Sequence, residues 1–185
     1  MGVTSRWRLF YLFHFSQPAH DRALYQAIHR RQFRAILELG IGTGRRALRM
    51  IEVAQRRYPE SQVCYTGVDE FEARCGDDGP AVPLKSAYQM LRRTGARVRL
   101  LPGDPLAAIS RAANNMAKVD LLVISSSVNR ESLGRAWLYV PRLLDNASLV
   151  VYEQLQRTGK GAGFRVLSAR HVGELAQRGA GRRAA

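Results

Sequence analysis

The fold of this chain is decided by one stretch, Ala35-Ile-Leu-Glu-Leu-Gly-Ile-Gly-Thr-Gly44. Its first five residues form a short apolar run that ends in glycines, which is typical of a buried parallel strand. After Gly44 the apolar residues recur at helical spacing, and Pro59 ends that pattern. The stretch therefore predicts a strand, a glycine turn and a helix in direct succession.

The spacing of the glycines restricts what the turn can bind. They fall at positions 40, 42 and 44, whereas a dinucleotide fingerprint requires G-x-G-x-x-G and a phosphate-binding P-loop requires Gly-Lys-Ser/Thr. A glycine turn lets the backbone approach a ligand closely, and the helix that follows offers unpaired N–H groups. The turn is therefore predicted to be a nucleotide-cofactor loop of a different kind from these two.

Strands alternate with helices along the rest of the chain. Further strands are predicted at 63–68, 97–101, 120–124, 148–152 and 164–167. Helices are predicted at 21–32, 45–58, 85–93, 105–116, 132–144 and 171–177. This alternation predicts an α/β fold with a doubly wound, mostly parallel sheet and helices on both faces.

Length and composition indicate one folded domain. A chain of 185 residues with 46% apolar residues can bury one core and is too short for two domains of typical size. The apolar segment at 7–15 is too short to span a bilayer and lacks the features of a signal peptide. Cys64 is interpreted as a small core residue and Cys75 as a loop residue, so neither a disulfide framework nor a zinc site is expected. We expect a soluble cytoplasmic protein.

The formal net charge is +14, and 26 of the 29 basic residues are arginines. Such a charge is compatible with a nucleic-acid partner, an acidic membrane or an acidic protein. It is equally typical of chains rich in Ala, Gly and Arg, whose arginines are solvated surface residues. Because no dense basic stripe with interleaved aromatics precedes the C-terminus, the compositional interpretation is favoured over nucleic-acid binding.

The first strand and its loop resemble a known family. Glu38-x-Gly40-x-Gly42-x-Gly44 closely resembles the first motif of class I S-adenosylmethionine (SAM)-dependent methyltransferases, and the resemblance extends over 35–152. It implies a Rossmann-like methyltransferase fold, with SAM as cofactor and S-adenosylhomocysteine (SAH) as product. In the loop, Ile41 and the glycines would contact the cofactor. Glu38 would support the loop or face the methionine ammonium, and a buried Glu would need such a partner.

Acidic residues after the next two strands extend this resemblance. Asp69, with Glu70 beside it, stands where the family holds the ribose hydroxyls, because a carboxylate can accept hydrogen bonds from both hydroxyls of a diol. Gly103-Asp104 stands where the family contacts the adenine amino group, and Ser125 follows the fourth strand. Asp69 or Asp104 alone would suit a helix cap equally well. Their shared place at the ends of consecutive strands favours the cofactor site.

The region after the fourth strand is less informative about the methyl acceptor. It lacks the Asn/Asp-Pro-Pro-aromatic signature of amino-methylating enzymes, and the surrounding layout looks like catechol-type O-methyltransferases. Those enzymes carry a metal-binding Asp after the fourth strand and an Asp-Asn pair after the fifth. Here Ser125 or Ser126 and Glu153-Gln154 occupy these places, which makes a poor magnesium site. No metal is expected.

The N-terminal segment offers weaker candidates. His14 and His20 lie in a segment that often caps the substrate in this family, and a histidine there could act as a general base, although a packed or solvated histidine is the more common case. Tyr11, Phe13 and Phe15 could line an aromatic substrate pocket, but such alternation is more often core. No catalytic residue is assigned.

The resemblance divides the chain into a single domain over 1–177 and a disordered basic tail over 178–185. Within the domain, 1–32 is the cap segment and 33–177 the core, whose C-terminal strands are abbreviated relative to the seven-stranded family sheet. The predicted activity is SAM-dependent methyl transfer to an unidentified acceptor, a small molecule in preference to nucleic acid. The alternatives are an inactive SAM- or SAH-binding module of the same fold and an RNA methyltransferase. The sequence assigns no oligomeric state.

Overall fold

A computed structural model of the chain describes residues 5–74, 82–155 and 162–184. Its centre is one six-stranded sheet with the order β3-β2-β1-β4-β5-β6, in which β1 to β5 are parallel and β6 runs antiparallel to β5. The strands are β1 (Ala35–Leu39), β2 (Cys64–Asp69), β3 (Arg97–Pro102), β4 (Leu121–Ile124), β5 (Leu149–Leu155) and β6 (Ala162–Leu167). The strand order reverses between β1 and β4.

Helices cover both faces of the sheet. They are α1 (Arg6–His14), α2 (Asp21–Arg31), α3 (Arg45–Ala54), α4 (Leu84–Arg92), α5 (Pro105–Ala112), α6 (Arg130–Ala136) and α7 (Ala169–Ala184). Short 3-10 turns lie at Glu60–Gln62, Phe71–Ala73 and Val140–Leu143. Among the helices of the described ranges, none has both the length and the apolar character needed to cross a membrane.

The alternation of side chains along β1 divides the core into two halves. Ile36 packs in the cluster formed with α1 to α4, whereas Leu37 and Leu39 pack in the cluster with α5 to α7. Glu38 alternates onto the first of these faces and is completely buried there. A strand with both faces covered thus carries one ionisable side chain into the interior.

The predicted α/β class and the doubly wound sheet are confirmed, including the sixth strand at the end of the chain. No secondary structure was predicted for the apolar, aromatic-rich segment at 7–15. In the structure, all but its last residue lies in the helix α1. The helix predicted at 132–144 is divided into α6 and the 3-10 turn Val140–Leu143, where Pro141 cannot donate a backbone hydrogen bond.

Two predictions about individual segments are wrong. Instead of a disordered tail from 178 onward, α7 continues to Ala184. The continuation depends on close packing, because a Cβ atom added to Gly179 would lie 3.0 Å from the carbonyl oxygen of Gly134 in α6. Cys64 is exposed and not a core residue, since it is the first residue of β2 and its side chain lies on the face opposite to buried Tyr65. Cys75 lies outside the described residues.

The glycines of the turn after β1 are required for different reasons. Gly40 and Gly42 both have positive φ angles, of 81° and 59°. A Cβ atom on Gly40 would approach the Cβ of Ser125 to 2.8 Å, whereas one on Gly42 would meet no atom within 4 Å. Gly42 is therefore constrained by its backbone conformation alone, and Gly40 by conformation and by contact with the end of β4.

This difference predicts unequal effects of alanine at the two positions. Gly42→Ala should lower the free energy of unfolding by about 1–2 kcal/mol, the cost of a left-handed conformation for an L-residue. Gly40→Ala should cost about 1–3 kcal/mol more because it also overpacks against Ser125. Urea denaturation of both variants measures the difference, and equal losses would contradict this account of Gly40.

Candidate functional site

The carboxyl ends of the strands border an open cleft of about 670 Å³. It lies at the reversal of strand order between β1 and β4, which is the usual ligand position in open α/β sheets. Its lining comes from the glycine turn and from the segments that follow β2, β3 and β4: Gly40, Val68, Asp69, Glu70, Ala73, Arg74, Gly103, Asp104, Pro105, Ser126, Ser127, Val128 and Asn129. The volume is within the range of small-molecule and cofactor sites.

The predicted cofactor loop contributes to this cleft through Gly40. The side chain of Ile41 is instead buried in the core against Gly67. Gly44, with a φ of 76°, precedes α3 and is in contact with Met90 of α4, so it serves packing. The backbone N–H groups of Ile41 and Gly42 point away from a ligand, because both donate to Asp69.

Asp69, the predicted ribose ligand, is fully engaged in holding the loop. Its Oδ2 accepts hydrogen bonds from the N–H groups of Ile41 and Gly42 at 2.7 and 3.1 Å, and its Oδ1 accepts from the N–H of Phe71 at 2.9 Å. The guanidinium of Arg74 lies 2.7 Å from both oxygens. With four donors and 5% exposure, Asp69 is a brace between β2 and the glycine loop.

Glu70 and Gly103 are better placed than Asp69 to contact a ligand. Both line the cleft, and Glu70 is half-buried with no hydrogen bond to its carboxylate from any residue that the structure describes. Gly103 has a φ of 119° and donates its N–H to the carbonyl of Asp69. The carboxylate available for a diol is therefore that of Glu70, one position beyond the brace.

Asp104 caps the helix α5, which is the alternative role that the sequence allowed for this residue. Its Oδ1 accepts from the N–H groups of Leu106 and Ala107 at the start of α5 and from the hydroxyl of Ser132. These hydrogen bonds lower the pKa of Asp104 against the opposing effect of burial. The residue also lines the cleft, so capping does not remove it from the site.

The cleft wall after β4 is formed by residues 126–129, whereas Ser125 is turned away from it. The Ser125 hydroxyl lies 3.0 Å from Glu153 Oε2, and the Ser126 N–H donates to the same oxygen at 3.2 Å. Ser125 thus belongs to the lining of a second, buried cluster that adjoins the cleft through Ser126.

That cluster, which we call the Arg46 network, consists of Arg46, His20, Asp21, Glu38 and Glu153. The Arg46 guanidinium lies 3.5 Å from Asp21, 3.6 Å from Glu38 and 3.2 Å from Glu153. His20 Nε2 lies 2.7 Å from Glu153 Oε1 and 3.6 Å from Asp21. One permanent cation therefore faces three carboxylates in the interior.

The network changes the acidity of its members. Burial raises the pKa of Glu38 to about 7, although Arg46 and the Tyr65 hydroxyl, which donates to Glu38 at 2.5 Å, oppose the shift. Burial also raises the pKa of Asp21. For Glu153, burial is outweighed by Arg46 and by the hydrogen bonds from Ser126 and Ser125, so its pKa is lowered. The pKa is thus lowered at Glu153 and raised at Glu38 and Asp21.

Several atoms of this network lack hydrogen-bond partners. Within the described part of the chain, buried Asp21 Oδ1, Glu38 Oε1, Arg46 Nε and Arg46 Nη1 make no hydrogen bond. Buried polar atoms without partners are rare in native proteins and call for water or a ligand group. Three of these atoms still face one another as ion pairs, because Arg46 Nε lies 3.5 Å from Asp21 and 3.6 Å from Glu38.

The metal site of catechol-type enzymes has no counterpart in these contacts. The structure places Glu153 where the fifth-strand ligands would stand, but His20, Arg46, Ser125 and Ser126 already occupy its oxygens. In the three described ranges, no group of three or more His, Cys, Asp or Glu side chains has the spacing of a metal site. The donor set fits a hydrogen-bonded ion pair better than Mg²⁺.

Of the N-terminal candidates, only His20 lies near the site. His14 lines a separate groove with Arg56 and Arg57, which follow the end of α3 remote from the glycine loop. Tyr11 and Phe15 are exposed, and Phe13 packs against the core.

Arg46 and Asp21 were not predicted from the sequence. Arg46 stands second in an amphipathic helix and Asp21 at a helix start, where a charged residue usually faces solvent or caps.

The raised pKa of Glu38 predicts a pH-dependent stability. A carboxyl group with a folded-state pKa near 7 stabilises the protein fully below its unfolded pKa near 4.5 and loses this contribution as pH rises through 7. Glu38→Gln keeps the acceptor for Tyr65 and removes the titration. Its free energy of unfolding relative to wild type should improve by roughly 1–3 kcal/mol between pH 5 and pH 8. An unchanged difference across this range would contradict the assignment.

The chain shares its fold with solved methyltransferases. An O-methyltransferase from Bacillus cereus in complex with SAH superimposes with a TM-score of 0.59 and 15% identity, covering 92% of this chain and 71% of that one. TomG is an O-methyltransferase from Streptomyces achromogenes that is involved in tomaymycin synthesis and was solved with SAM. It superimposes with a TM-score of 0.58 and 16% identity, covering 98% of this chain and 79% of that one. A precorrin-6y C5,15-methyltransferase from Geobacter metallireducens superimposes with a TM-score of 0.51 and 13% identity, covering 79% of this chain and 66% of that one.

The sequence matches no protein-family model and no curated protein. The structural likeness establishes the Rossmann-like fold of class I SAM-dependent methyltransferases, as the first motif predicted. The solved proteins differ in their named acceptors, so the shared fold does not identify the acceptor of this chain.

Proposed function

We propose that this protein is a SAM-dependent methyltransferase that acts on a small molecule. The observation that carries the proposal is the cleft at the strand reversal, bordered by the G-x-G-x-G turn, a free carboxylate after β2 and a helix N-terminus after β3. The fold supports SAM as the ligand of this cleft, since proteins with the same fold were solved with SAH or SAM. The acceptor class stays part of the proposal.

The lining residues fit the three parts of the cofactor. Glu70 offers a carboxylate to the ribose hydroxyls, and the segment from Gly103 to Leu106 offers backbone groups and an apolar surface to the adenine. The methionine end would lie beside Gly40, toward the Arg46 network, whose buried cationic and anionic atoms form ion pairs and include several without hydrogen-bond partners. SAM supplies the methyl group when it is bound.

The arrangement of arginines favours a small molecule over RNA. Arg74 is the one arginine among the described residues that line the cleft, and it is paired with Asp69. An RNA methyltransferase would place unpaired cations around the cleft to hold phosphates. The arginines of the described residues are therefore not concentrated around the cleft in which the cofactor would react.

Calorimetry with SAM and SAH tests the proposal. Both ligands should bind to the wild-type protein with 1:1 stoichiometry, and each should raise its melting temperature because it binds the folded state alone. Absence of binding at millimolar ligand would overturn the proposal. An inactive module of the same fold would bind SAM yet release no SAH with any acceptor.

The same titration separates the roles of two neighbouring carboxylates. Glu70→Gln should weaken SAM binding by about 10- to 100-fold, the effect of losing a charged hydrogen-bond partner, and leave the free energy of unfolding unchanged. Asp69→Asn should, in addition to any effect on SAM binding, lower the free energy of unfolding, because Asp69 holds the glycine loop in place. Equal SAM affinities of Glu70→Gln and wild type would remove Glu70 from the ribose site.

We further propose that His20 receives the proton when the acceptor is a hydroxyl group. A carboxylate only accepts hydrogen bonds, so His20 Nε2 carries a proton toward Glu153, and in the neutral ring Nδ1 is the basic nitrogen. The imidazole is held by an edge contact with Phe164, with ring centroids 5.3 Å apart. In the proposed step the His20 ring itself would take up the proton, so the step uses no metal ion.

A screen of phenolic acceptors for SAH release provides the assay for this role. With an acceptor that wild type methylates, His20→Ala should lower kcat by about 10²- to 10⁴-fold, the usual contribution of a general base. Its SAM affinity should stay unchanged, and added imidazole should restore part of the rate. A variant with wild-type kcat would contradict the role of His20.

A further inference from the structure

A second pocket, of about 300 Å³, lies on the opposite face of the sheet from the Arg46 network. It is bordered by α6, α7 and the paired strands β5 and β6. Its lining combines arginines with aromatic and aliphatic side chains: Arg130, Leu133, Gly134, Trp137, Tyr152, Gln154, Arg165, Leu167, His171, Leu175 and Arg178.

The strand alternation explains why this pocket and the network are separate. Glu153 and its register partner Phe164 face α2 and α3, where they contact His20 and Arg46. Tyr152 and its register partner Arg165 face the other side and line the pocket. The two sites therefore share the strand β5 and no side chain.

The charges around the pocket have one sign. Arg130, Arg165 and Arg178 line it, no Asp or Glu does, and none of the three arginines has a carboxylate within 4.0 Å among the residues with described positions. His171 also lines the pocket and lies 3.7 Å from Glu174, which is not itself part of the lining. Unpaired guanidinium groups that converge on one cavity favour an anionic ligand, which they can bind through paired N–H donors.

The inner surface of the pocket is apolar. Trp137 is 6% exposed, and Leu133 and Leu167 are buried beside it. Such a floor with polar groups at the rim suits a flat, apolar ligand body, and a volume of about 300 Å³ is at the small end of ligand pockets. A single- or double-ring aromatic compound has this size, whereas a folded macromolecule does not enter it.

We propose that this pocket binds a small aromatic carboxylate, with the ring against Trp137 and the carboxylate among Arg130, Arg165 and Arg178. Arg130 directly follows Asn129, which lines the cofactor cleft. The pocket is therefore a ligand site separate from the one that carries the proposed methyltransferase function. Binding of the aromatic acid itself is independent of that function.

Tryptophan fluorescence tests this binding directly. The chain has two tryptophans, and Trp7 is 82% exposed on α1, so Trp7→Phe leaves Trp137 as the single reporter. The probes are 3-nitrobenzoate and neutral 3-nitrobenzamide, which quench tryptophan and differ mainly in charge. Nitrobenzoate should bind at least about tenfold more tightly than the amide, because charged hydrogen bonds are lost with the amide.

A matched pair of variants separates the pocket from the general positive charge of the chain. Arg165→Gln should weaken nitrobenzoate binding by about tenfold or more. Arg99→Gln removes the same charge at β3, the opposite edge of the sheet, and should have no more than a twofold effect. Both side chains are exposed, so both variants should fold, which their melting temperatures check.

Equal binding of the acid and the amide, or equal effects of Arg165→Gln and Arg99→Gln, would overturn the proposal. Displacement of nitrobenzoate by a short single-stranded oligoribonucleotide at a comparable concentration would also overturn it and indicate an RNA surface. Binding of nitrobenzoate by a protein that does not bind SAM would retain the pocket and contradict the proposed methyltransferase function. SAM binding without nitrobenzoate binding would retain that function and overturn the pocket proposal.

Discussion

The hydrogen bonds of the Asp69 carboxylate determine the shape of the carboxyl edge of the sheet. They join the end of β2 to the N–H groups of Ile41 and Gly42 and to Arg74. Glycine adopts the positive φ angles of the turn without a steric cost, and Asp69 satisfies the N–H groups of Ile41 and Gly42. With the turn held in this way, Gly40 approaches the end of β4 and α3 begins at Arg45, which places Arg46 over the interior.

The Arg46 network follows from that placement and gives the site its chemistry. Charges in the interior are stable only when they are paired, and each carboxylate here has a different set of partners. The pKa of Glu153 is lowered by Arg46 and by hydrogen bonds from Ser126 and Ser125, whereas burial raises the pKa of Glu38 to about 7. The Arg46 guanidinium lies within ion-pair distance of Asp21, Glu38 and Glu153, and Glu153 is hydrogen-bonded to His20. The proposed proton acceptor His20 thus belongs to a buried network of paired charges.

The sequence was sufficient for the fold because the strands are short apolar runs between turn residues, and parallel pairing follows from the intervening helices. It also located the glycine turn, since glycine spacing is readable without coordinates. It did not show that Asp69 holds this turn while Glu70 beside it makes no described side-chain hydrogen bond, because the directions of two adjacent acidic side chains are not visible in the sequence. Arg46 and His20 meet Glu153 from positions 107 and 133 residues away, and no local pattern records such contacts. The tail was misjudged because the packing of Gly179 on α6 has no sequence signature beyond a glycine.

A crystal structure of the protein with SAH tests the central claim most directly, because the claim concerns which groups of the cleft meet which part of the cofactor. We expect the ribose hydroxyls to lie on the Glu70 carboxylate, the adenine beside Gly103 to Leu106, and Asp69 still bound to the N–H groups of Ile41 and Gly42. A ribose bound to Asp69 with the loop released, or SAH outside the cleft, would contradict the account.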